Sequence, residues 1–175
     1  MNPYWKFVLD PKTILAHTPS KKRLSVTLQK TRKGTSLVAT KPIKRGRVVA
    51  YYKMMVFNSY TYRSPTKGIY LFTVYTKSER EIDRLLGDIY PCSVDAPKRN
   101  IPFWAHFSNE PSPGHEENCE IDINTRKNYK NRKRLKAGDV IVYKLRATKN
   151  IAAGEEITLC YGPTYSRDYS TSCRY

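Results

Sequence analysis

Several segments of the chain read as β-strands, the plainest by an alternation of apolar and polar residues with a period of two, the spacing of a half-buried strand. Arg23 to Gln29 (RLSVTLQ) is the first such run. KTRKGTS then reads as a turn, SLVAT as a short strand, and KPIKRG as a second turn closing at Gly46. RVVAYYKMMVF, from Arg47 to Phe57, is β-branched and aromatic and suits a longer strand. IYLFTVYT from Ile69, CEIDIN from Cys119 and VIVYKLRAT from Val140 continue the pattern, with Ala137-Gly138-Asp139 as the turn before the last of them. One segment departs from it. SEREIDRLLGD, from Ser78, has a serine to cap a first turn, early acids, and Ile82, Leu85 and Leu86 on one helical face. The pattern therefore predicts a mainly β fold with one short helix.

Composition narrows the class. A chain of 175 residues is one domain's worth and buries a core without staples. No apolar run approaches the ~18 to 20 residues needed to cross a bilayer. The start, MNPYWKFVLDPK, lacks the charged-then-apolar order of a signal peptide. A soluble intracellular protein with no membrane partner is expected. Cys92, Cys119, Cys160 and Cys173 are scattered, with no CxxC pair; His115 and Cys119 alone make a poor metal set, so the cysteines read as buried small hydrophobes and no metal is expected.

Charge changes the picture more. The chain carries 32 Lys and Arg against 15 Asp and Glu, a net charge of +17. Pro11 to Ser78 holds 15 basic residues and no acid; Glu79 to Asp122 holds ten acids and four bases; RKNYKNRKRLK, from Arg126 to Lys136, holds seven bases. Such a surface attracts polyanions, nucleic acid being the commonest, by releasing condensed counterions.

Four motifs in a fixed order carry the function. KGTSLVATKPIKRGRVVAYY, Tyr70-Leu71-Phe72-Thr73-Val74 with Val94-Asp95-Ala96, AHFSNEPSPGHEENCEI, and NIAAGEEITLCYG follow one another between Leu24 and Tyr165. Together they resemble the SET-domain protein lysine methyltransferases, whose signatures are G-x-G, Y-L-F, N-H-S-x-x-P-N and G-E-E-L-T-x-x-Y-G. Gly34, Ala39, Ile43, Gly46 and Tyr52 fill the first, while Ser36 replaces its second glycine and Tyr51 its glutamate. Asn109 and Asn118-Cys119 are kept, with Glu110 for histidine and a longer spacer. That N-E-P-x-P-G form is similar to the one in compact SET proteins of algae, protists and large DNA viruses.

The resemblance implies small β-sheets with a C-terminal segment threaded under an earlier loop, in a domain over 23–165 with an insert at about 58–90. It leaves an N-terminal extension over 1–22 and, over 166–175, a tail without a zinc cap. It implies S-adenosylmethionine as methyl donor, no metal, and a lysine-bearing protein as substrate, histone tails being the family's best-known targets. Tyr161 is the implied catalytic tyrosine, with Tyr70 beside it in the channel wall, and Leu159 and Tyr52 lining the channel. Leu159, without a hydroxyl to hold a water, implies transfer of more than one methyl. For the cofactor, the resemblance implies the Lys33-Gly34-Thr35 loop, His106 toward the carboxylate, Asn109 and Glu110 beside the adenine and amino group, and Tyr165 stacked on the adenine. The acidic stretch containing Glu79, Glu81 and Asp83 is expected to grip a basic peptide. Nucleus or cytoplasm, including a host nucleus for a viral protein, suits such a chain, and the oligomeric state is left open. A SET fold that binds protein or nucleic acid without catalysis is the alternative, supported by Ser36 and Glu110.

Overall fold

The computed structural model describes residues 24–64, 71–74, 85–89, 102–122, 136–163 and 165–173. The described residues form seven strands: β1 (Val26–Thr31), β2 (Gly34–Ala39), β3 (Val48–Asn58), β4 (Leu71–Val74), β5 (Leu85–Asp88), β6 (Cys119–Asp122) and β7 (Val140–Ala147). β1 and β2 form a two-stranded sheet, and the other five follow the order β4-β5-β3-β7-β6. A 3-10 turn at Ala105–Phe107 is the one helical element among the described residues.

The β-rich reading holds strand by strand. In β3, Tyr52, Met54 and Val56 are buried while their neighbours are half-buried, the period-two signature of a pleated surface. β7 buries Ile141, Val142, Tyr143, Leu145 and Ala147. The expected helix from Ser78 is corrected where it can be followed: Leu85–Asp88 is a strand, paired antiparallel with β3 (Met55↔Asp88) and with β4 (Leu71↔Asp88). Helix propensity is a weak preference, and Gly87 opposes it by about 1 kcal/mol. Two flanking strands satisfy the backbone of β5 on both edges, and Leu85, Gly87 and Asp88 are buried there. Asp88 is held by the hydroxyls of Tyr62, at 2.6 Å, and Ser64, at 2.8 Å. The residues from Ser78 to Arg84, with Glu79, Glu81 and Asp83, lie outside the described residues, as do Tyr70 and the basic stretch from Arg126.

The chain divides into two compact units. Among the described residues, the first contains 51–64, 71–74, 85–89, 102–103, 122 and 136–143. The second contains 24–50, 104–121, 144–163 and 165–173. In the first, Tyr52 packs on Phe72 at 5.1 Å and Tyr51 meets the edge of Phe103 at 6.4 Å.

The second unit is organised by a crossing of segments. Ile157 N–H donates to the Leu37 carbonyl, Leu159 N–H to the Asn109 carbonyl, and Cys119 N–H to the Thr158 carbonyl, so residues 157–159 run between three other stretches of backbone. Asn109 and Thr158 form a parallel bridge. Leu37, Leu145, Ile151 and Ile157 fill the core around this crossing, each 0–1% exposed. Because Ile157 sits at its centre, Ile157→Val, which removes one methylene, should cost about 0.5–1.5 kcal/mol, read as a lower urea midpoint at constant slope.

Candidate functional site

The β1–β2 hairpin brings the first motif to the site. Thr31 pairs with Gly34, leaving Arg32 and Lys33 as a two-residue turn. Gly34 has φ +103°, which a side chain would strain, whereas the space around its Cα is open. Lys33 Nζ reaches back to donate to the Glu110 carbonyl at 2.8 Å and to Glu156 Oε2 at 3.2 Å. Asn109 Nδ2 donates to Glu156 Oε1 at 2.9 Å and to Ser36 Oγ at 2.7 Å, and the Ser36 and Thr31 hydroxyls share a hydrogen bond at 2.7 Å. Burial works to raise the Glu156 pKa. The bonds from Asn109 and Ser36, together with the Lys33 ammonium, outweigh it and hold the carboxyl below the usual range. The serine in place of a glycine is thus absorbed: Ser36 is fully buried, and its hydroxyl joins the polar network that fixes Asn109.

A second cluster surrounds Tyr161. Its hydroxyl donates to the Ser108 carbonyl at 2.9 Å, and its backbone N–H donates to Glu110 Oε1 at 2.8 Å. Glu110 is 3% exposed, and a bare carboxylate there would be costly to bury. Arg167 answers it with a two-pronged bond: Nε donates to Oε2 at 2.6 Å and Nη2 to Oε1 at 2.7 Å. Tyr169 O–H adds a further bond to Oε2 at 3.1 Å. Arg167 also donates to the carbonyls of Gly162 at 2.7 Å and Tyr165 at 2.6 Å. The Tyr165 ring stands edge-on to Tyr161 at 4.7 Å, with the Arg167 guanidinium 5.3 Å from its centre. Since the Tyr161 proton is directed at Ser108, the phenol oxygen presents lone pairs, the arrangement needed to accept an N–H.

The tail is bound rather than frayed. Thr171 Oγ1 donates to the Pro111 carbonyl, and Gly114 N–H donates to Ser172 Oγ at 2.7 Å. Cys160, next to Tyr161, is joined to Cys173 by a disulfide. Cysteines read as isolated in sequence are therefore paired, 13 positions apart, while Cys119 fits the reading as a buried free thiol. The two sulfurs and a Glu110 oxygen lie within 4.8 Å of one another, yet the sulfurs bond each other and the carboxylate is taken up by Arg167.

Other expected site residues are placed differently. Leu159 is buried within the crossing, its N–H bonded to the Asn109 carbonyl. His106 follows Ala105 in the 3-10 turn, its ring 4.2 Å from that of Phe107 and both ring nitrogens shielded from solvent. Burial lowers its pKa to about 4, so the imidazole is neutral and brings no charge to a carboxylate at pH 7. The unfolded chain, with its histidine near ~6.5, takes up this proton first, so the stabilisation is present above about pH 6.5 and is lost as pH falls toward 4. Thermal unfolding followed from pH 7 to pH 4 should show a loss of about 3 kcal/mol from this group, and His106→Phe should flatten that slope. Tyr52 lies in the first unit, and Tyr70 lies outside the described residues. An open polar recess of about 660 Å³, lined by Gly114, His115, Glu116, Glu117, Thr148, Lys149 and Ser172, contains none of the expected site residues.

Glu110, Lys33, Asn109, Tyr161 and Tyr165 are thus gathered in one unit, whereas Arg167 and Glu156 escaped sequence reading. Nothing in the largely polar FSNEPSP run marks Glu110 for burial, so its need for a cation is visible only in the fold.

The model of the SET domain family matches residues 34–162 of the chain. Among solved structures, a candidate histone methyltransferase of Plasmodium falciparum is similar at 16% identity, over 82% of this chain and 97% of that one, with a TM-score of 0.47. The methyltransferase domain of human PR domain-containing protein 2 is similar at 18% identity, over 97% of this chain and 95% of that one, with a TM-score of 0.45. No curated protein sequence gives a significant match.

Proposed function

Because the chain belongs to the SET-domain family, we propose that it is an S-adenosylmethionine-dependent protein-lysine N-methyltransferase. The observation that carries the reading is the setting of Tyr161, whose hydroxyl is aimed by the Ser108 carbonyl and whose backbone is fixed by Glu110. The residues around it suit the methyl donor. Lys33, with a side chain 31% exposed, offers a cation to a carboxylate, and the half-buried Tyr165 ring offers a face to an adenine. Bound there, S-adenosylmethionine would supply a methyl group activated by its sulfonium.

The remaining chemistry falls to the protein. A free lysine is an ammonium at neutral pH, with a pKa near ~10.4, and carries no lone pair to attack with. A site that excludes water favours the neutral amine. The phenol oxygen of Tyr161 accepts an N–H of that amine and so turns its lone pair toward the methyl carbon; alignment of this kind supplies much of the rate in a displacement. The acidic stretch from Glu79 suits a basic peptide, and a histone tail is the substrate class to try first.

Calorimetric titration with S-adenosylmethionine, followed by methyl transfer to mixed histones, tests the reading. Saturable binding with lysine methylation is the expected result. A second reading, a SET fold that binds nucleic acid without catalysis, draws on the net charge of +17. Steeply salt-dependent nucleic-acid binding with no cofactor uptake would favour it and overturn the first.

A further inference from the structure

We propose that Arg167 is a positioning residue, which acts through Glu110 to couple docking of the C-terminal tail to the placement of Tyr161. The inference rests on the methyltransferase reading and adds to it a residue from outside the matched family span.

The argument begins with the Glu110 carboxylate. It is buried, its side chain 1% exposed, and each oxygen accepts two hydrogen bonds. On Oε1 the donors are Tyr161 N–H and Arg167 Nη2; on Oε2 they are Arg167 Nε and Tyr169 O–H. One side chain thus joins the backbone of the tyrosine to two residues of the tail. Arg167 closes the same loop from the other side, because two of its three remaining N–H groups donate to the carbonyls of Gly162 and Tyr165. The backbone from Tyr161 to Tyr165 is thereby pinned at three points by one ion pair.

The geometry distinguishes this from simple anchoring. The tail has other anchors, at Thr171, Ser172 and the Cys160–Cys173 disulfide, which do not pass through Glu110. Loss of Arg167 therefore leaves the tail attached but frees the carboxylate. A buried carboxylate without its cation turns toward solvent or takes up a proton, and in either case its bond to Tyr161 N–H weakens. The planar fork of arginine matches both oxygens, which a lysine ammonium does not reproduce.

The test compares the wild-type chain with Arg167→Ala, Arg167→Lys and the double variant Arg167→Ala/Glu110→Gln. Hydrogen exchange read by NMR should show the Tyr161 amide exchanging at least tenfold faster in Arg167→Ala. The Leu159 amide, bonded to the Asn109 carbonyl, should be unchanged. Turnover on a histone peptide should fall about a hundredfold, as a misplaced catalytic group implies, with the peptide KM within about threefold of wild type. Added ethylguanidine should restore turnover at least tenfold in Arg167→Ala and not in the double variant, because rescue needs the Glu110 carboxylate. If Arg167→Ala fails to fold, Arg167→Lys carries the same comparison with a smaller loss. Unchanged Tyr161 exchange and turnover in a folded variant would overturn the proposal and leave Arg167 a tail anchor. Wild-type protein that neither binds S-adenosylmethionine nor methylates would instead overturn the methyltransferase reading; the amide comparison would still decide whether Arg167 controls Tyr161.

Discussion

Tyr161→Phe should lower turnover in lysine methylation by about 10²- to 10³-fold, the usual effect of deleting one preorganised polar group at a reacting centre, and leave cofactor affinity nearly unchanged. The substitution removes a single oxygen. The ring keeps its edge contact with Tyr165 at 4.7 Å, and the backbone N–H keeps its bond to Glu110. What the oxygen takes with it is the acceptor for the substrate amine and the donor to the Ser108 carbonyl at 2.9 Å. Stability should fall by about 1 kcal/mol for that bond, far too little to unfold the chain. Single-turnover transfer with saturating cofactor separates the two effects. Wild-type turnover in the variant would remove Tyr161 from the reacting centre and return it to the role of a core tyrosine that closes a segment.

Much of this arrangement was legible in the sequence because it is local. The β-branched and aromatic run RVVAYYKMMVF became β3, and Gly46 and Gly138, in the expected turns, take φ values of +81° and +89°. The motif order brought Lys33, Asn109, Glu110 and Tyr161 together. What was not legible depends on neighbours distant in sequence. Leu85–Asp88 carries a helical apolar spacing, yet β3 and β4 offer its backbone hydrogen bonds on both sides, and pairing prevails over a weak propensity. The Cys160–Cys173 bond has no spacing signature, since only the return of the tail along 110–114 brings the sulfurs together. Glu110 and Ser36 looked like losses from the motif. Each is instead compensated by a partner elsewhere, Arg167 for the carboxylate and Asn109 for the hydroxyl.

The same reasoning identifies Asn118 as the residue on which the crossing depends most. Its Oδ1 accepts the Thr158 N–H at 2.9 Å, and its Nδ2 donates to the Glu156 carbonyl at 2.8 Å and to Glu155 Oε1 at 3.0 Å. Its backbone binds Thr158 and Thr148. Asn118 is 2% exposed, so water cannot replace these partners. Asn118→Leu keeps the size of the side chain and strands the buried Thr158 N–H, at about 1 to 3 kcal/mol, and the part-buried Glu156 carbonyl, at less, so a loss of about 3 kcal/mol is expected. Asn118→Asp should be informative in a different way. It keeps the acceptor for Thr158 but sets a negative charge against the Glu156 carbonyl and Glu155, which raises the new carboxyl's pKa in the folded state above its unfolded value. The folded chain then binds the extra proton, so this variant should recover stability as pH falls through that folded pKa, whereas Asn118→Leu should not. Denaturant titrations of both variants at pH 7 and pH 5 would read the difference. Parallel losses at the two pH values would mean that the side-chain amide is not what ties residues 155–158 to the loop they cross.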